Sequence, residues 1–189
     1  MKSSVAATTL FALISASVAA PSNLRFAKRD LPSGDCVAPG PDATANAINA
    51  WDSDVRTVNA FLEAAPTLGS VDILLSIQTP LTAAEDEPNQ LQVLACEPAV
   101  FEGTKAQAAA NALFDGFDDN VIVPLGNIVA SPADATNVAH QLATINQFRC
   151  CTVLPSLDIL WPTTAANEGL VGSGPIVAPR PSTCAAITC

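Results

Sequence analysis

The chain has no tyrosine, a single histidine (His140) and no methionine after Met1. The lack of tyrosine argues against a sugar-binding or antibody-like surface, because such surfaces depend on amphipathic rings with a polar tip. A lone histidine without a Gly-x-Ser-x-Gly motif argues against a Ser-His-acid triad. No glycine-rich phosphate loop follows a strand, and no His or free thiolate stands at metal-ligand spacing. We therefore predict a non-enzymatic protein with no catalytic, cofactor-binding or metal-binding residues, and we interpret His140 as an ordinary helix-surface residue.

Long apolar runs are absent after the first twenty residues. Asp, Asn, Gln or Pro interrupts each later run well before the ~18 residues that a membrane helix needs, so we expect no membrane span. Residues 2–20 combine one lysine, a short apolar run and small residues just before Pro21. This pattern is typical of a secretory signal peptide, which we place at residues 1–19.

Cleavage is expected after Ala19 or Ala20, because both are small residues in a small-residue context. The dibasic pair Lys28-Arg29 follows and predicts a short pro-segment at residues 20–29. The sequence therefore predicts a protein that is secreted to the extracellular space or the cell wall.

Basic residues are scarce: the chain has 8 Lys and Arg against 18 Asp and Glu. Four of the eight bases precede Asp30, so the mature chain keeps 4 bases and all 18 acids, a formal charge of −14. A surface this acidic repels phosphate backbones and anionic headgroups, which excludes nucleic acid and disfavours anionic membranes. We interpret most of the charge as a means of solubility.

The 34 alanines and the apolar spacing predict an all-α fold, a small antiparallel bundle of about five amphipathic helices in residues 30–161. The first helix is expected to begin at an Asp42 cap and to end at Pro66. The second starts at Gly69-Ser70 and is broken or kinked by Pro80, and the third is short, about 88–97.

The longest helix is predicted over residues 104–130, with a bend at Pro124. Ser131-Pro132 and Asp134 predict the start of the fifth, which runs to about Trp161 with a kink at Pro155. Strand signals are almost absent. Residues 162–189 are rich in Gly and Pro, and we expect an irregular C-terminal tail.

All six cysteines lie in the mature chain, so an oxidising compartment favours three disulfides. They are Cys36, Cys96, Cys150, Cys151, Cys184 and Cys189. The sequence allows fifteen connectivities, but side chains of adjacent helical residues point ~100° apart, so the Cys150-Cys151 pair should reach two different partners. The preferred set bonds this pair to Cys36 and Cys96 and leaves Cys184 bonded to Cys189.

Two acidic clusters, Glu85-Asp86-Glu87 and Asp115 with Asp118-Asp119, match no EF-hand spacing. We interpret them as solvated helix faces or caps. Arg149 falls seven residues after Leu142, on the apolar stripe of the fifth helix. It is expected to extend its head to solvent or to pair with a carboxylate of another helix.

The segment Ala47-Ile48-Asn49-Ala50-Trp51-Asp52-Ser53-Asp54-Val55-Arg56-Thr57-Val58 is similar to the first helix of fungal secreted hydrophobic-surface-binding, or cell-wall galactomannoprotein-like, proteins. The likeness in pattern extends over residues 43–160. The segment Asn146–Pro155, with its Cys-Cys pair, departs from that family, and no functional residue can be carried over. The resemblance implies adsorption to hydrophobic surfaces.

Two functions are therefore kept open. The first is a non-enzymatic secreted or cell-wall-associated protein that adsorbs to hydrophobic surfaces or holds an apolar small molecule. The alternative is a small disulfide-rich effector that binds an extracellular host or neighbour protein. Amphipathic helices with small side chains and proline hinges suit the first, because such a bundle can present apolar faces to a surface.

Overall fold

The computed structural model describes residues 36–189. The signal peptide, the pro-segment and the processing residues Ala19, Ala20, Lys28 and Arg29 lie outside the described residues. Within this range the chain is an all-α, disulfide-stapled bundle without β-strands, as the composition predicts. The helices are α1 (Gly40–Ala64), α2 (Ser70–Ser76), α3 (Gln78–Ala95), α4 (Lys105–Phe117), α5 (Val123–Ala130), α6 (Ala135–Phe148) and α7 (Leu154–Asn167).

Helix α1 is the spine of the bundle. Its apolar stripe is buried as its spacing predicts, at Ile48, Trp51, Val55, Val58 and Leu62. It packs mainly on α3 and more lightly on α7, while α4 packs on α7 and α5 on α6. The rings of Trp51 and Trp161 meet edge-on, with centroids 6.4 Å apart, and so join α1 to α7.

Two pairs of helices are continuous through a single π-turn. Asp118–Ile122 joins α4 to α5, and Arg149–Val153 joins α6 to α7. Each π-turn ends just before a proline-containing turn, at Pro124 and Pro155. Proline has no N–H to donate to the carbonyl of the preceding turn. The wider turn of the π-helix makes room for the proline ring. The bundle thus has five helical rods, as the sequence predicts, with the expected distortions near both prolines.

Several predicted helix ends are wrong. Helix α1 starts at Gly40, so Asp42 lies in the first turn rather than at the cap. The break falls at Ile77, and α3 runs through Pro88 to Ala95. Pro88 is buried, and its packing against the core offsets the backbone hydrogen bond that it cannot make. Helix α7 extends past Trp161 to Asn167.

All six cysteines are paired, and Cys150 and Cys151 have different partners, as predicted. The preferred connectivity is wrong. Cys36 bonds to Cys96, since the start of α1 lies beside the end of α3 with the two Cα atoms 5.5 Å apart. The pair bonds instead to the tail, as Cys150–Cys184 and Cys151–Cys189.

The tail after Asn167 is irregular apart from a 3₁₀ turn at Ser182–Ala186, but it lies along the bundle. Ala178 is buried, and its N–H donates to Asp158 Oδ1 at 2.8 Å. Arg180 pairs with the same carboxylate. The tail is therefore held by polar contacts as well as by two disulfides.

Candidate functional site

An open apolar groove lies at one end of the bundle, with a volume of about 600 Å³. One wall is formed by the chain that leaves α1 and enters α2. Its lining residues are Ala65, Pro66, Leu68, Gly69, Ser70 and Ile73. Pro66 ends the regular α1 helix within a 3₁₀ turn, and the extended backbone at Leu68 and Gly69 then carries the chain into α2.

The opposite wall is one face of α6, from Ala135 to Asn146, with the turn before it. Its lining residues are Pro132, Ala133, Ala135, Val138, Ala139, Leu142, Ala143 and Asn146. The side chain of Asp134 fixes the start of this wall by accepting from the Thr136 and Asn137 N–H groups, both at 3.0 Å. None of the lining residues on either wall carries a charge, and Asn146 supplies the single side-chain amide.

The α2 helix adds an exposed apolar face beside the groove. It buries Ile73, but Val71, Leu74 and Leu75 are 66%, 43% and 77% exposed. Three large apolar side chains exposed on a seven-residue helix are unusual, because such residues normally provide the packing that holds a short helix in place. The groove and this face together form the groove surface, an apolar region made by α2 and α6.

The second candidate is a fully buried polar cluster of Trp51, Asn59, Glu87 and Arg149. Arg149 Nη1 donates to Glu87 Oε1 at 2.8 Å, and neither side chain is exposed. Trp51 Nε1 donates to Glu87 Oε2 at 2.9 Å. Both carboxylate oxygens of Glu87 are therefore satisfied, which offsets the high cost of burying the charge.

The same cluster reaches the C-terminal tail. Arg149 Nη2 donates to Asn59 Oδ1 at 3.3 Å, and Asn59 Nδ2 donates to the Pro179 carbonyl at 2.8 Å. The tail thus completes a chain of hydrogen bonds that begins at Trp51 and passes through the centre of the bundle.

The cluster has no access for a substrate. The cavity beside Trp51 and Glu87 has a volume of about 10 Å³, room for about one water molecule. A buried Arg–Glu pair with satisfied oxygens orders a core, so we assign it a structural role. The prediction that Arg149 pairs with a carboxylate of another helix is confirmed. The interpretation of Glu87 as a solvated residue is wrong.

Next to this cluster, at the contact of α1 and α3, Asp54 and Asp86 share a hydrogen bond. The pKa of Asp54 is raised to about 7, mainly by burial and to a smaller extent by the negative charges of Asp86 and Glu87 and the hydrogen bond to Asp86. Asp86 also accepts from Asn89 Nδ2 at 2.9 Å and from Gln90 Nε2 at 2.6 Å. Protonated Asp54 can donate to Asp86, whereas ionised Asp54 faces two like charges.

Glu97 is a third buried carboxyl, at the end of α3. Burial raises its pKa, and the Glu168 carboxylate adds to the effect, while hydrogen bonds from Thr44 and Asn167 oppose it. Asn167 Nδ2 donates to Glu97 Oε2 at 3.0 Å, and Thr44 donates to Oε1. These contacts join the start of α1 to the end of α7, which is a structural arrangement rather than a cleft.

The other ionisable residues singled out from the sequence lie apart from one another. His140 is exposed on α6, and Asp115 and Asp119 are exposed around the end of α4. In residues 36–189 no three His, Cys, Asp or Glu side chains are grouped so as to hold a metal ion. No direct signal in the sequence predicts the groove surface, although the apolar residues Val71, Leu74 and Leu75 on a short helix indicate one side of it.

No family model matches the chain, and no curated protein or solved structure matches it. Among the described residues, no helix combines the length and apolarity needed to cross a membrane. The resemblance of residues 43–160 to fungal hydrophobic-surface-binding proteins thus stays a prediction.

Proposed function

We propose that this protein is a non-enzymatic secreted or cell-wall-associated protein that adsorbs to hydrophobic surfaces or holds an apolar ligand through its groove surface. The observation that carries the proposal is the uncharged groove of about 600 Å³ beside exposed Val71, Leu74 and Leu75. An apolar concavity bordered by a helix with exposed apolar side chains is a common form of binding site.

The energy available to this surface favours adsorption. Burying one Leu or Val side chain contributes about 1.5–3 kcal/mol relative to leaving it in water. The three α2 side chains are already exposed, so contact with an apolar partner buries them without first breaking the core. Helix α2 makes few contacts other than with α3, so it is the helix best able to adjust to a surface.

Three disulfides and the predicted signal peptide support action outside the cell, where such bonds persist. A non-enzymatic role is supported by the distribution of ionisable groups. The Arg149–Glu87 pair is fully enclosed, and the groove lining has no acid, base or nucleophilic pair.

The test is depletion of the oxidised mature chain from solution by a hydrophobic film, with a hydrophilic film as reference. Replacing Leu74→Gln and Leu75→Gln together removes the apolar face of α2, and we expect adsorption to fall at least several-fold. The matched control is Ile176→Gln with Val177→Gln, since these tail residues are 53% and 60% exposed. The control variant should adsorb like the parent chain.

Equal loss of adsorption in both variants would assign the effect to general hydrophobicity and would contradict a dedicated surface. Failure of the parent chain to adsorb, together with saturable binding to a single extracellular protein, would favour the effector alternative. Circular dichroism of each variant checks that the helices are intact.

A further inference from the structure

We propose that the groove binds a single alkyl chain that carries a positively charged head, as in a long-chain quaternary ammonium compound. This inference rests on the function proposed above and specifies the ligand class for the same site. It follows from the lining, from the carboxylates at the rim, and from the positions of the basic side chains.

The lining suits a flexible alkyl chain. Four alanines, Ala133, Ala135, Ala139 and Ala143, form much of the α6 wall. Leu68 adds aliphatic contact, and the buried side chains of Ile73, Val138 and Leu142 form the floor. No aromatic side chain lines the groove, so nothing in it favours stacking on a flat ring system. Its volume of about 600 Å³ exceeds what one protruding side chain fills, and its open form allows the ligand head to stay in water.

Carboxylates stand at both walls. On the first wall, a Cβ placed on Gly69 would lie 3.7 Å from Asp72 Oδ2, so this carboxylate directly borders the lining. On the second wall, exposed Asp134 lies between the lining residues Ala133 and Ala135. A charged head at the mouth of the groove therefore meets negative charge on either side.

No basic side chain of residues 36–189 offsets these carboxylates. Arg56 pairs with Asp52, Arg149 with Glu87 and Arg180 with Asp158. Lys105 lines a different groove, between α4 and α7. His140 is the nearest ionisable base, next to Ala139 on α6.

The rim therefore selects by charge. A cationic head gains attraction from two carboxylates, a neutral head gains none, and an anionic head is repelled. For a head in water within one Debye length of both carboxylates, the attraction favours a cationic over a neutral head by up to roughly 10-fold at low salt, and by roughly 2- to 3-fold at physiological ionic strength.

The experiment compares three amphiphiles of equal alkyl chain length below their micelle concentrations: an alkyl trimethylammonium, an alkyl glucoside and an alkyl sulfate. Isothermal titration calorimetry of the oxidised mature chain is run at one mildly alkaline pH for all three amphiphiles. We expect affinity to fall in the order cation, neutral, anion, with the cation advantage shrinking as salt is added.

The variant Asp72→Asn with Asp134→Asn should abolish the cation advantage, measured as the ratio of trimethylammonium to glucoside affinity within the same variant. Asn at position 134 still caps α6, so the wall is kept. The matched control, Asp115→Asn with Asp119→Asn, removes the same net charge from exposed positions outside the groove. It should keep at least half of the cation advantage.

Equal affinity for all three heads, or equal effects of the two double variants, would overturn the charge selectivity and leave the proposed function in place. Absence of binding by all three amphiphiles, together with absence of adsorption to the hydrophobic film, would overturn both proposals. Binding that begins only at the micelle concentration would also contradict a single-chain site.

Discussion

The centre of the bundle and its groove end differ in which groups are buried: the centre buries charge, whereas the groove end exposes apolar side chains. In the centre, where α1, α3 and α7 meet, the Arg149–Glu87 pair is taken fully out of water, and both Glu87 oxygens accept hydrogen bonds. Arg149 Nε and Trp161 Nε1 are buried there without a hydrogen-bond partner among residues 36–189. At the groove end, between α2 and α6, large apolar groups are left in contact with water without a partner in the described chain. Both arrangements cost free energy, but only the burial of charge is offset within the molecule, by ion pairing and hydrogen bonds.

The difference indicates where stability and binding are located. The buried polar cluster contacts four separate parts of the chain: α1, α3, the π-turn before α7, and the tail at Pro179. A substitution in this cluster is expected to lower the free energy of unfolding. At the groove end, the exposed side chains Val71, Leu74 and Leu75 contribute little packing, so a substitution of these three is expected to reduce binding rather than stability. Ile73, Val138 and Leu142 line the groove but also belong to the core.

The largest expected effect comes from breaking the ion pair at the centre. Arg149→Met removes the partner of Glu87 and leaves its carboxylate buried with only the Trp51 N–H. We expect a loss of about 3–5 kcal/mol in the free energy of unfolding. Urea denaturation followed by circular dichroism measures it, and the Leu74→Gln and Leu75→Gln variant should lie within ~0.5 kcal/mol of the parent.

A second variant makes this prediction decisive. Replacing both partners, as Glu87→Gln with Arg149→Met, removes the unpaired charge and should recover part of the lost stability. A double variant as unstable as the sum of its single variants would show that the two side chains do not interact, contrary to the 2.8 Å contact.

The sequence predicts one half of this ion pair and misses the other. Arg149 lies on an apolar stripe, and a buried charge at such a position is stable only with a partner. Helical periodicity therefore predicts that Arg149 forms an ion pair. Glu87 sits in an acidic run directly before Pro88, which is typical of a helix start. Its real environment depends on a residue 62 positions away, and local patterns carry no information about such a contact.

The helical rods and the two proline distortions follow from periodicity and from the missing proline N–H, both of which are local. The pairing of cysteines does not, because it depends on the path of the tail. Residues 168–189 turn back along α7 and α6, which brings Cys184 and Cys189 to the adjacent pair. Composition predicts the lack of regular structure in this tail but not where it lies.

The groove surface is the least predictable feature for the same reason. Its walls come from two stretches of chain more than fifty residues apart, and it exists because α2 is too short to fill the space beside α6. Sequence patterns report which residues are apolar. They do not report which apolar residues the tertiary packing leaves uncovered.

A smaller effect tests whether α6, which lines the groove, is also fixed against the rest of the bundle. Phe148 at the end of α6 packs on Gly116 of α4. A Cβ at Gly116 would lie 2.6 Å from the Phe148 ring, so Gly116→Ala forces the ring to move. We expect a loss of about 1–2 kcal/mol in unfolding free energy, since overpacking typically costs 1–3 kcal/mol.

Gly126 is the matched control, because it is also helical and a Cβ there meets nothing within 4 Å. Gly126→Ala should stabilise the protein by about 0.5–1 kcal/mol through reduced backbone freedom in the unfolded chain. Thermal unfolding of both variants measures the contrast. If both alanines stabilise, Phe148 yields freely and α6 is not fixed at this end.

A comparably small effect is a dependence of stability on pH that arises from the carboxyls with raised pKa, chiefly Asp54. The pKa of Asp54 is about 7 in the folded state against 3.8 for an unperturbed Asp, so the folded chain binds more protons between these values. Stability should therefore be greatest near pH 4, fall as pH rises to about 7, and then level off. The direction of the Glu97 shift adds to the same slope.

Because Asp54 is only half-buried, solvent screening reduces the effect to on the order of 1 kcal/mol across this range. Asp54→Asn keeps the shape of the side chain and its hydrogen bond to Asp86 but cannot ionise. The variant should match the parent near pH 4, exceed it in stability above pH 7, and show a shallower slope between. An unchanged slope would mean that the Asp54–Asp86 contact is open to water. The region without water would then include Glu87 but not the Asp54–Asp86 pair.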